Sequence, residues 1–381
     1  MSEQLPINPA LLTWARERAG LSFDAAVVRF AKIEEWESGV SAPTYPQLEQ
    51  LSDALKIPVA VFFFPDPPDV PPINETFRTL PEAELERLPS RLHLLMRKAK
   101  AMQLNLADLT NGQNPADRVI TKDLEFRVDT NLVEMVAQVR AYLGVSLDEQ
   151  MLWNSPEVAL KEWRAALLNA GIFVFKDAFR TEGYSGFCLY DDEFPIIYVN
   201  NSSSKTRQIF TFFHELAHLI FHTSGIDKVR DGYIERLVGD DRQIEILCNS
   251  FAANFLVPDH AFEAAVAGLD ANEATAELLA DRFSVSREVI FRRFLDQGRV
   301  DQQEYDRAVA RWNNQRQHGA GGAKGGNPYW TKLTYLGREY VGLALGQYHQ
   351  NRIDENQLAE FLDWKPKNVS TLEDYFSRGA A

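Results

Sequence analysis

Hydrophobic residues recur at helical spacing along most of the chain. Short amphipathic patterns occupy residues 8–64, and longer ones lie at about 82–107 and 132–142. Helical patterns return toward the C-terminus, at about 205–222, 241–256, 273–283, 286–296 and 302–315. The pattern therefore predicts a predominantly helical protein.

The spacing changes at Gly171, where short runs of β-branched and aromatic residues replace the helical pattern. These runs are GIFVF, YSGFCLY and FPIIYVN, separated by polar turns. They predict a small sheet of about three strands, and the expected fold class is therefore α+β. An exposed edge in the 184–199 part of this sheet could pair with an extended peptide, which is a common mode of peptide recognition.

Proline and glycine predict where the chain divides into domains. The segment PDPPDVPPI, residues 65–73, forbids helix, and HGAGGAKGGNP has the composition of a flexible linker. The predicted domains are a small helical unit at 1–70, a connector with bridging helices at 71–145, a sheet-containing domain with a helical tail at 146–317, a Gly-rich linker at 318–328, and a small helical C-terminal unit at 329–381.

Charge and composition restrict the classes of function. A net charge of −14 argues against broad, sequence-independent binding of nucleic acid or anionic lipid, because both require positive surface. Two cysteines cannot build a disulfide framework, the first residues do not resemble a signal peptide, and no apolar run approaches the ~20 residues of a membrane span. We therefore expect a cytoplasmic protein that does not contact membranes.

The segment FTFFHELAHLIFH carries the clearest chemical signal. His214 and His218 are four residues apart, so both imidazoles lie on one face of a helix with Glu215 beside them. This H-E-x-x-H spacing lets two imidazoles reach one ion. Catalytic zinc takes three protein ligands and a water, so a third His, Asp or Glu must come from elsewhere in the fold.

Glu245 is the third ligand that we predict. It follows His218 by 27 residues on a second predicted helix, and Asn249 shares its face four residues later. On spacing alone, a surface glutamate is an equally good interpretation of Glu245. His222 continues the four-residue series and could support the ligands or the transition state, but a histidine there also suits the end of a helix. Cys248 is interpreted as a small buried hydrophobe.

Several spaced motifs resemble the ImmA/IrrE family of metallopeptidases. The strands near 172–175 and 185–186, PIIYVN, the FTFFHELAHLIFH helix, E-x-x-C-N and FAANFLVP occur in the family's order, over about residues 160–300. The resemblance implies a zinc ion held by His214, His218 and Glu245, with Glu215 as general base. It also implies a thermolysin-like core in which a small sheet packs on the active-site helix. Manganese or iron could use the same ligands.

Residues 8–75 resemble an Xre (Cro/C1-type) helix-turn-helix domain, but they depart from it in two ways. Fewer residues than usual separate Ser22 from Trp36, and the segment RFAKIEEWE is acidic where a DNA reader is basic. Residues 1–70 hold five Lys and Arg against ten Asp and Glu. This composition favours a degenerate domain over a DNA-binding one. Such a domain would serve for protein docking or for dimerisation, which would make the protein a homodimer.

Three functions are compatible with these residues. The first is a zinc-dependent regulatory endopeptidase that cleaves one partner, such as a repressor or antitoxin, in a stress, phage or mobile-element response. The second is a partner-binding, antitoxin-like or regulatory protein of a toxin–antitoxin pair with latent or no proteolysis. The third is a DNA-binding transcriptional regulator, which the acidic N-terminal unit disfavours. Glu215 favours the first, because a structural zinc has no use for it.

Overall fold

The structure is a computed structural model that describes residues 4–68, 88–228, 234, 237, 239–319 and 326–379. Its contacts divide the chain into two compact units. The first unit is Met1–Lys100 with Phe179–Glu182, and the second unit is Ala101–Ala178 with Gly183–Ala381. The domain limits predicted from the sequence stay predictions, and most of the proline-rich connector, residues 69–87, lies outside the described residues.

The first unit is a small helical bundle. Its helices are α1 Pro9–Arg18, α2 Phe23–Arg29, α3 Ile33–Glu37, α4 Tyr45–Leu55, the 3₁₀ helix Val59–Phe63 and the first half of α5 Ser90–Leu109. Asn8 and Ser22 cap α1 and α2 by accepting main-chain hydrogen bonds, as N-caps do. Helix α3 has five residues, and Glu34 and Glu35 on it are exposed. The acidic surface that the sequence predicts is therefore present, while the helix-turn-helix resemblance stays a prediction.

The second unit contains most of the helices and the sheet. Before and within the sheet region lie α6 Ile120–Asp123, α7 Leu132–Leu143, α8 Leu147–Leu152, α9 Pro156–Asn169 and α10 Lys205–Ile220. After the sheet come α11 Gly239–Leu256, α12 Asp259–Val266, α13 Glu273–Phe283, α14 Arg287–Asp296, α15 Gln302–Gly319, α16 Pro328–Leu336, α17 Arg338–His349, α18 Glu355–Phe361, the 3₁₀ helix Pro366–Asn368 and α19 Val369–Arg378. The expected predominantly helical α+β fold is confirmed.

The sheet of the described residues has four strands in the order β1-β3-β2-β4. They are β1 Phe173–Asp177, β2 Tyr184–Leu189, β3 Ile196–Asn200 and β4 Ile226–Lys228. Strand β1 runs parallel to β3, and β2 runs antiparallel to β3 and β4. The sequence predicts the first three strands and misses β4. The expectation of an exposed edge at 184–199 is wrong. Strand β2 lies between β3 and β4, and strand β3 lies between β1 and β2, so neither is at an edge of the sheet.

Helix α10 packs between the sheet and α11, and aromatic side chains fill the contact with the neighbouring helices. The ring of Phe213 stacks on Phe255 with centroids 4.2 Å apart, and Trp163 meets Phe213 edge-on at 4.8 Å. On the sheet side, a Cβ atom at Gly186 would lie 2.4 Å from Cγ2 of Thr211. Glycine at this position is therefore what lets α10 approach β2.

The C-terminal helices belong to the second unit and cover β1. The ring of Tyr340 on α17 meets Phe175 of β1 edge-on at 5.2 Å, and Gln347 donates a hydrogen bond of 2.6 Å to the carbonyl of Leu109. Of the predicted linker 318–328, residues 320–325 lie outside the described residues, α15 ends at Gly319 and α16 begins at Pro328. None of the described helices combines the length and apolar character that a membrane span requires.

Changing Gly186 to alanine is expected to destabilise the protein by about 1–3 kcal/mol, the usual range for overpacking. The added Cβ would lie 2.4 Å from Thr211 and 2.9 Å from the carbonyl oxygen of Tyr198, which is backbone and cannot rotate away. Urea unfolding measures the loss. Gly346→Ala is the matched control, because Gly346 lies within α17 with open space around its Cα. Equal midpoints for Gly186→Ala and wild type would contradict the packing argument.

Lys176 on β1 is expected to make stability depend on pH. Its ammonium donates a hydrogen bond of 3.0 Å to Oε1 of Gln208, and burial, helped by Arg164 and Lys205, lowers the pKa of Lys176 to about 6. Above pH 6 the unfolded chain therefore binds one more proton than the folded chain, so stability rises with pH until lysine also deprotonates in the unfolded chain.

We compare the free energy of unfolding of wild type with that of Lys176→Met. The difference, wild type minus variant, should grow by about 1.4 kcal/mol per pH unit between pH 6.5 and 9. Urea unfolding at several pH values measures this difference. Lys161→Met, on the exposed side of α9, is the control and should leave the slope of wild type unchanged. A pH-independent difference for Lys176→Met would show that Lys176 stays protonated in the folded chain.

Candidate metal centre

Helix α10 places His214, Glu215 and His218 inside the second unit. The helix begins after Ser204, which caps it: its hydroxyl accepts a hydrogen bond from the main-chain N–H of Arg207. The three side chains are almost completely buried, with 1%, 0% and 0% of their surface exposed. The helix is thus buried on its ligand side as well as on its apolar side.

Helix α11 brings Glu245 to the two histidines. Oε2 of Glu245 lies 3.6 Å from Nε2 of His214, and Oε1 lies 3.3 Å from Nε2 of His218. The two Nε2 atoms are 3.3 Å apart. Glu245 is only 2% exposed, so its alternative interpretation as a surface glutamate is wrong.

These three side chains fit a metal ion. Zinc bonds of about 2.1 Å at tetrahedral angles place neighbouring ligand atoms ~3.4 Å apart, close to the separations between His214, His218 and Glu245. Two imidazole nitrogens and one carboxylate form the donor set of many catalytic zinc sites. Among the described residues, this is the group of His, Cys, Asp and Glu whose ligand atoms all lie within 4.8 Å of one another.

Both imidazoles are oriented by hydrogen bonds at Nδ1, the ring nitrogen that points away from the cluster. Nδ1 of His214 lies 3.1 Å from Oδ1 of Asn249, and Nδ1 of His218 lies 3.3 Å from Oγ1 of Thr223. With the proton on Nδ1, each ring directs the lone pair of Nε2 into the cluster. The sequence predicts that Asn249 lies on the same helix face as Glu245, whereas nothing in the spacing points to Thr223.

Glu215 lies next to the cluster, and its two oxygens have different surroundings. Oε1 accepts a hydrogen bond of 2.9 Å from the main-chain N–H of Asp227 on β4. Oε2 is buried and has no nitrogen or oxygen donor within the described part of the chain, while the Cys188 thiol lies beside the carboxyl group. Burial raises the pKa of Glu215 to about 8, and His218 opposes this rise.

His222 lies outside the group of side chains that can hold one ion. Its backbone has φ of 56°, its Nε2 lies 3.0 Å from the carbonyl oxygen of Thr121, and its ring packs on Tyr190. Along the sequence, His222 extends the four-residue series of His214 and His218. The left-handed backbone ends the helix before this residue, so the series does not continue in space. Its predicted supporting part stays a prediction.

Two residues that follow α10 contact the site, and no sequence pattern predicts them. A Cβ atom at Gly225 would lie 2.5 Å from Cδ2 of His218, so the chain passes directly against this imidazole. Asp227 follows on β4 and is bonded to Glu215, as well as to Thr211 and Arg207. A small residue two positions before an isolated aspartate is too common a pattern to be recognised in a sequence.

A cleft of about 460 Å³ lies between α10, α11 and α14. Asn249, the partner of His214, lines it together with Phe210 of α10 and with Val289, Arg292 and Arg293 of α14. The two guanidinium groups are neutralised, because Arg292 pairs with Asp296 and Arg293 pairs with Asp259. The cleft is thus mixed in polarity and reaches Asn249, whose side chain contacts His214.

The buried H-E-x-x-H helix packs on a small sheet, and the next helix brings a glutamate to its two histidines. Metallopeptidases use sites of this kind. Residues 168–295, about a third of the chain, match the Peptidase_M78 family model, described as the IrrE N-terminal-like domain. This match supports the resemblance to the ImmA/IrrE family and suggests a metallopeptidase. It does not reach the Xre-like segment. No curated protein matches the chain.

Asn249→Ala removes a hydrogen bond that supports a ligand and is expected to weaken zinc binding by ~10–100-fold. Glu245→Gln and His218→Ala alter ligands themselves and are expected to weaken zinc binding by much more. A chelator competition titration measures each affinity, with metal content per chain as a check. His222→Asn is the control, because asparagine tolerates the positive φ and leaves the cluster intact. Wild-type affinity in Glu245→Gln would exclude Glu245 as a ligand.

Proposed function

We propose that the chain is a zinc-dependent regulatory endopeptidase that cleaves one specific partner protein, such as a repressor or antitoxin. The observation that carries this proposal is the position of Glu215 beside the convergent donors of His214, His218 and Glu245. A structural zinc site needs a fourth protein ligand and no neighbouring base. Glu215 is that neighbouring base.

The residues of the cluster divide the chemistry between them. His214 and His218 would hold the metal through Nε2, and Glu245 would hold it through its carboxylate. When bound, zinc supplies positive charge that acidifies a water molecule and polarises a peptide carbonyl. Glu215 accepts the proton of that water and then donates it to the leaving amine. Asn249 and Thr223 keep the two imidazoles in the orientation that this work requires.

A second candidate follows from the burial of the site. Glu215 and the three donor residues expose 2% of their surface or less, whereas a peptide substrate must reach them. A protein of this kind can bind its partner and leave it uncut until a signal opens the site. This is the partner-binding, antitoxin-like function with latent or no proteolysis.

Glu215→Gln separates the two candidates, because glutamine keeps the shape of glutamate but cannot accept the proton. Wild type and Glu215→Gln are purified from the native host with their bound proteins, and the partners are compared by intact mass. We expect the partner to be whole on Glu215→Gln and in two fragments with wild type. Loss of a general base lowers cleavage rates by about 10²–10⁴-fold.

Glu157→Gln, an exposed glutamate on α9, is the matched control and should cleave like wild type. An intact partner on all three proteins would support the binding function and overturn constitutive cleavage. Fragments on all three would mean that Glu215 is not the proton acceptor.

A further inference from the structure

A chain of hydrogen bonds connects one face of α10 to β4 beside Glu215. Arg207, Thr211 and Glu215 are spaced four residues apart, so they share this face. All three contact Asp227: Arg207 donates to Oδ1 at 2.5 Å, Thr211 donates to Oδ2 at 2.7 Å, and Glu215 accepts from the main-chain N–H at 2.9 Å. Both the side chain and the backbone of Asp227 are therefore attached to the helix that carries the metal ligands.

The position of Asp227 is closely determined. It is 2% exposed, and a buried carboxylate is tolerated only where donors and an opposite charge replace water. The Arg207 guanidinium supplies the charge and also donates to Oγ of Ser185 at 2.8 Å and to the carbonyl of Lys228 at 3.1 Å. One side chain thus attaches both β2 and β4 to α10.

The hydrogen bond from Asp227 determines which oxygen of Glu215 can accept a proton. The Asp227 N–H occupies Oε1, while Oε2 has no nitrogen or oxygen donor among the described residues. A carboxylate with one oxygen held cannot rotate freely, so the other oxygen keeps one direction. Glu215 must take a proton from a water at one place and deliver it at another, which demands such a fixed direction.

We propose that Asp227, held by Arg207 and Thr211, is a positioning residue that orients Glu215 for proton transfer. This inference rests on the proposed peptidase function. Asp227 acts through its main-chain N–H, and its carboxylate serves to hold that N–H in place. Asp227 lies on β4, the strand that the sequence pattern does not predict.

Thr211→Val is the sharpest test, because it removes one donor to Asp227, changes no charge and keeps the methyl group that packs on Gly186. Asp227→Asn is the stronger variant. Each should lower the single-turnover cleavage rate of the partner by about ten- to a hundred-fold, the scale of a misplaced reacting group. Zinc affinity and partner affinity should stay within about two-fold of wild type.

The same two changes are then made in the Glu215→Gln protein. A positioning residue has nothing left to position there, so the residual cleavage rate should not fall further. Asp123→Asn is the control in both backgrounds, because it makes the same change at an aspartate that accepts a hydrogen bond from Tyr142 outside the cluster. Wild-type rates in Thr211→Val and Asp227→Asn, or equal losses with and without Glu215, would overturn the proposal.

Hydrogen exchange of the Asp227 amide tests the attachment without any substrate. The exchange should speed up by about three- to ten-fold in Glu215→Ala, which removes the acceptor of this amide, and in Thr211→Val and Asp227→Asn, which loosen the residue that holds it, but not in Asp123→Asn. Unchanged exchange in Glu215→Ala would refute the bond that positions the carboxylate. If wild type cleaves no partner, the proposed function fails, and this exchange measurement still decides whether Asp227 holds Glu215.

Discussion

The second unit buries ionisable side chains on one side of α10, and the surrounding structure depends on how their charge is accommodated. Glu215, His218 and Asp227 expose 2% of their surface or less. Bringing charge into such surroundings costs several kcal/mol unless other groups replace the lost water. Neighbouring elements therefore place hydrogen-bond partners at defined points. The main chain of β4 and the Arg207 guanidinium donate hydrogen bonds, and the Thr223 hydroxyl accepts one from His218.

Close packing on both sides keeps these donors aligned. Phe213 and Phe255 stack at 4.2 Å between α10 and α11, so the two helices that carry the candidate metal ligands share one aromatic contact. Gly186 allows α10 to lie directly against β2. Protein interiors are packed as densely as organic crystals, so a helix held in this way cannot shift without disturbing its neighbours. The same packing that stabilises the fold therefore preserves the geometry of the candidate metal centre.

Sequence patterns are sufficient for the parts of the site that repeat along a helix. The apolar periodicity and the four-residue spacing predict α10, His214 and His218, because helix geometry alone places them together. Glu245 could be interpreted in two ways, since spacing does not reveal which face of α11 is buried. Strand β4 has only three residues and no alternation of polar and apolar positions. Asp227 was therefore missed together with the strand that carries it.

The charge of the cluster explains why Glu215 can change its protonation state. Two carboxylates, Glu215 and Glu245, share the buried cluster, and Arg207 is already paired with Asp227. In the absence of a cation, burial favours the neutral form, and the pKa of Glu215 rises to about 8. A divalent ion among the donors would offset both negative charges and stabilise ionised Glu215. The carboxyl group is therefore balanced between burial, which favours its protonated form, and the metal, which favours its ionised form. That balance is the electrostatic condition for a group that must accept a proton and release it within one reaction.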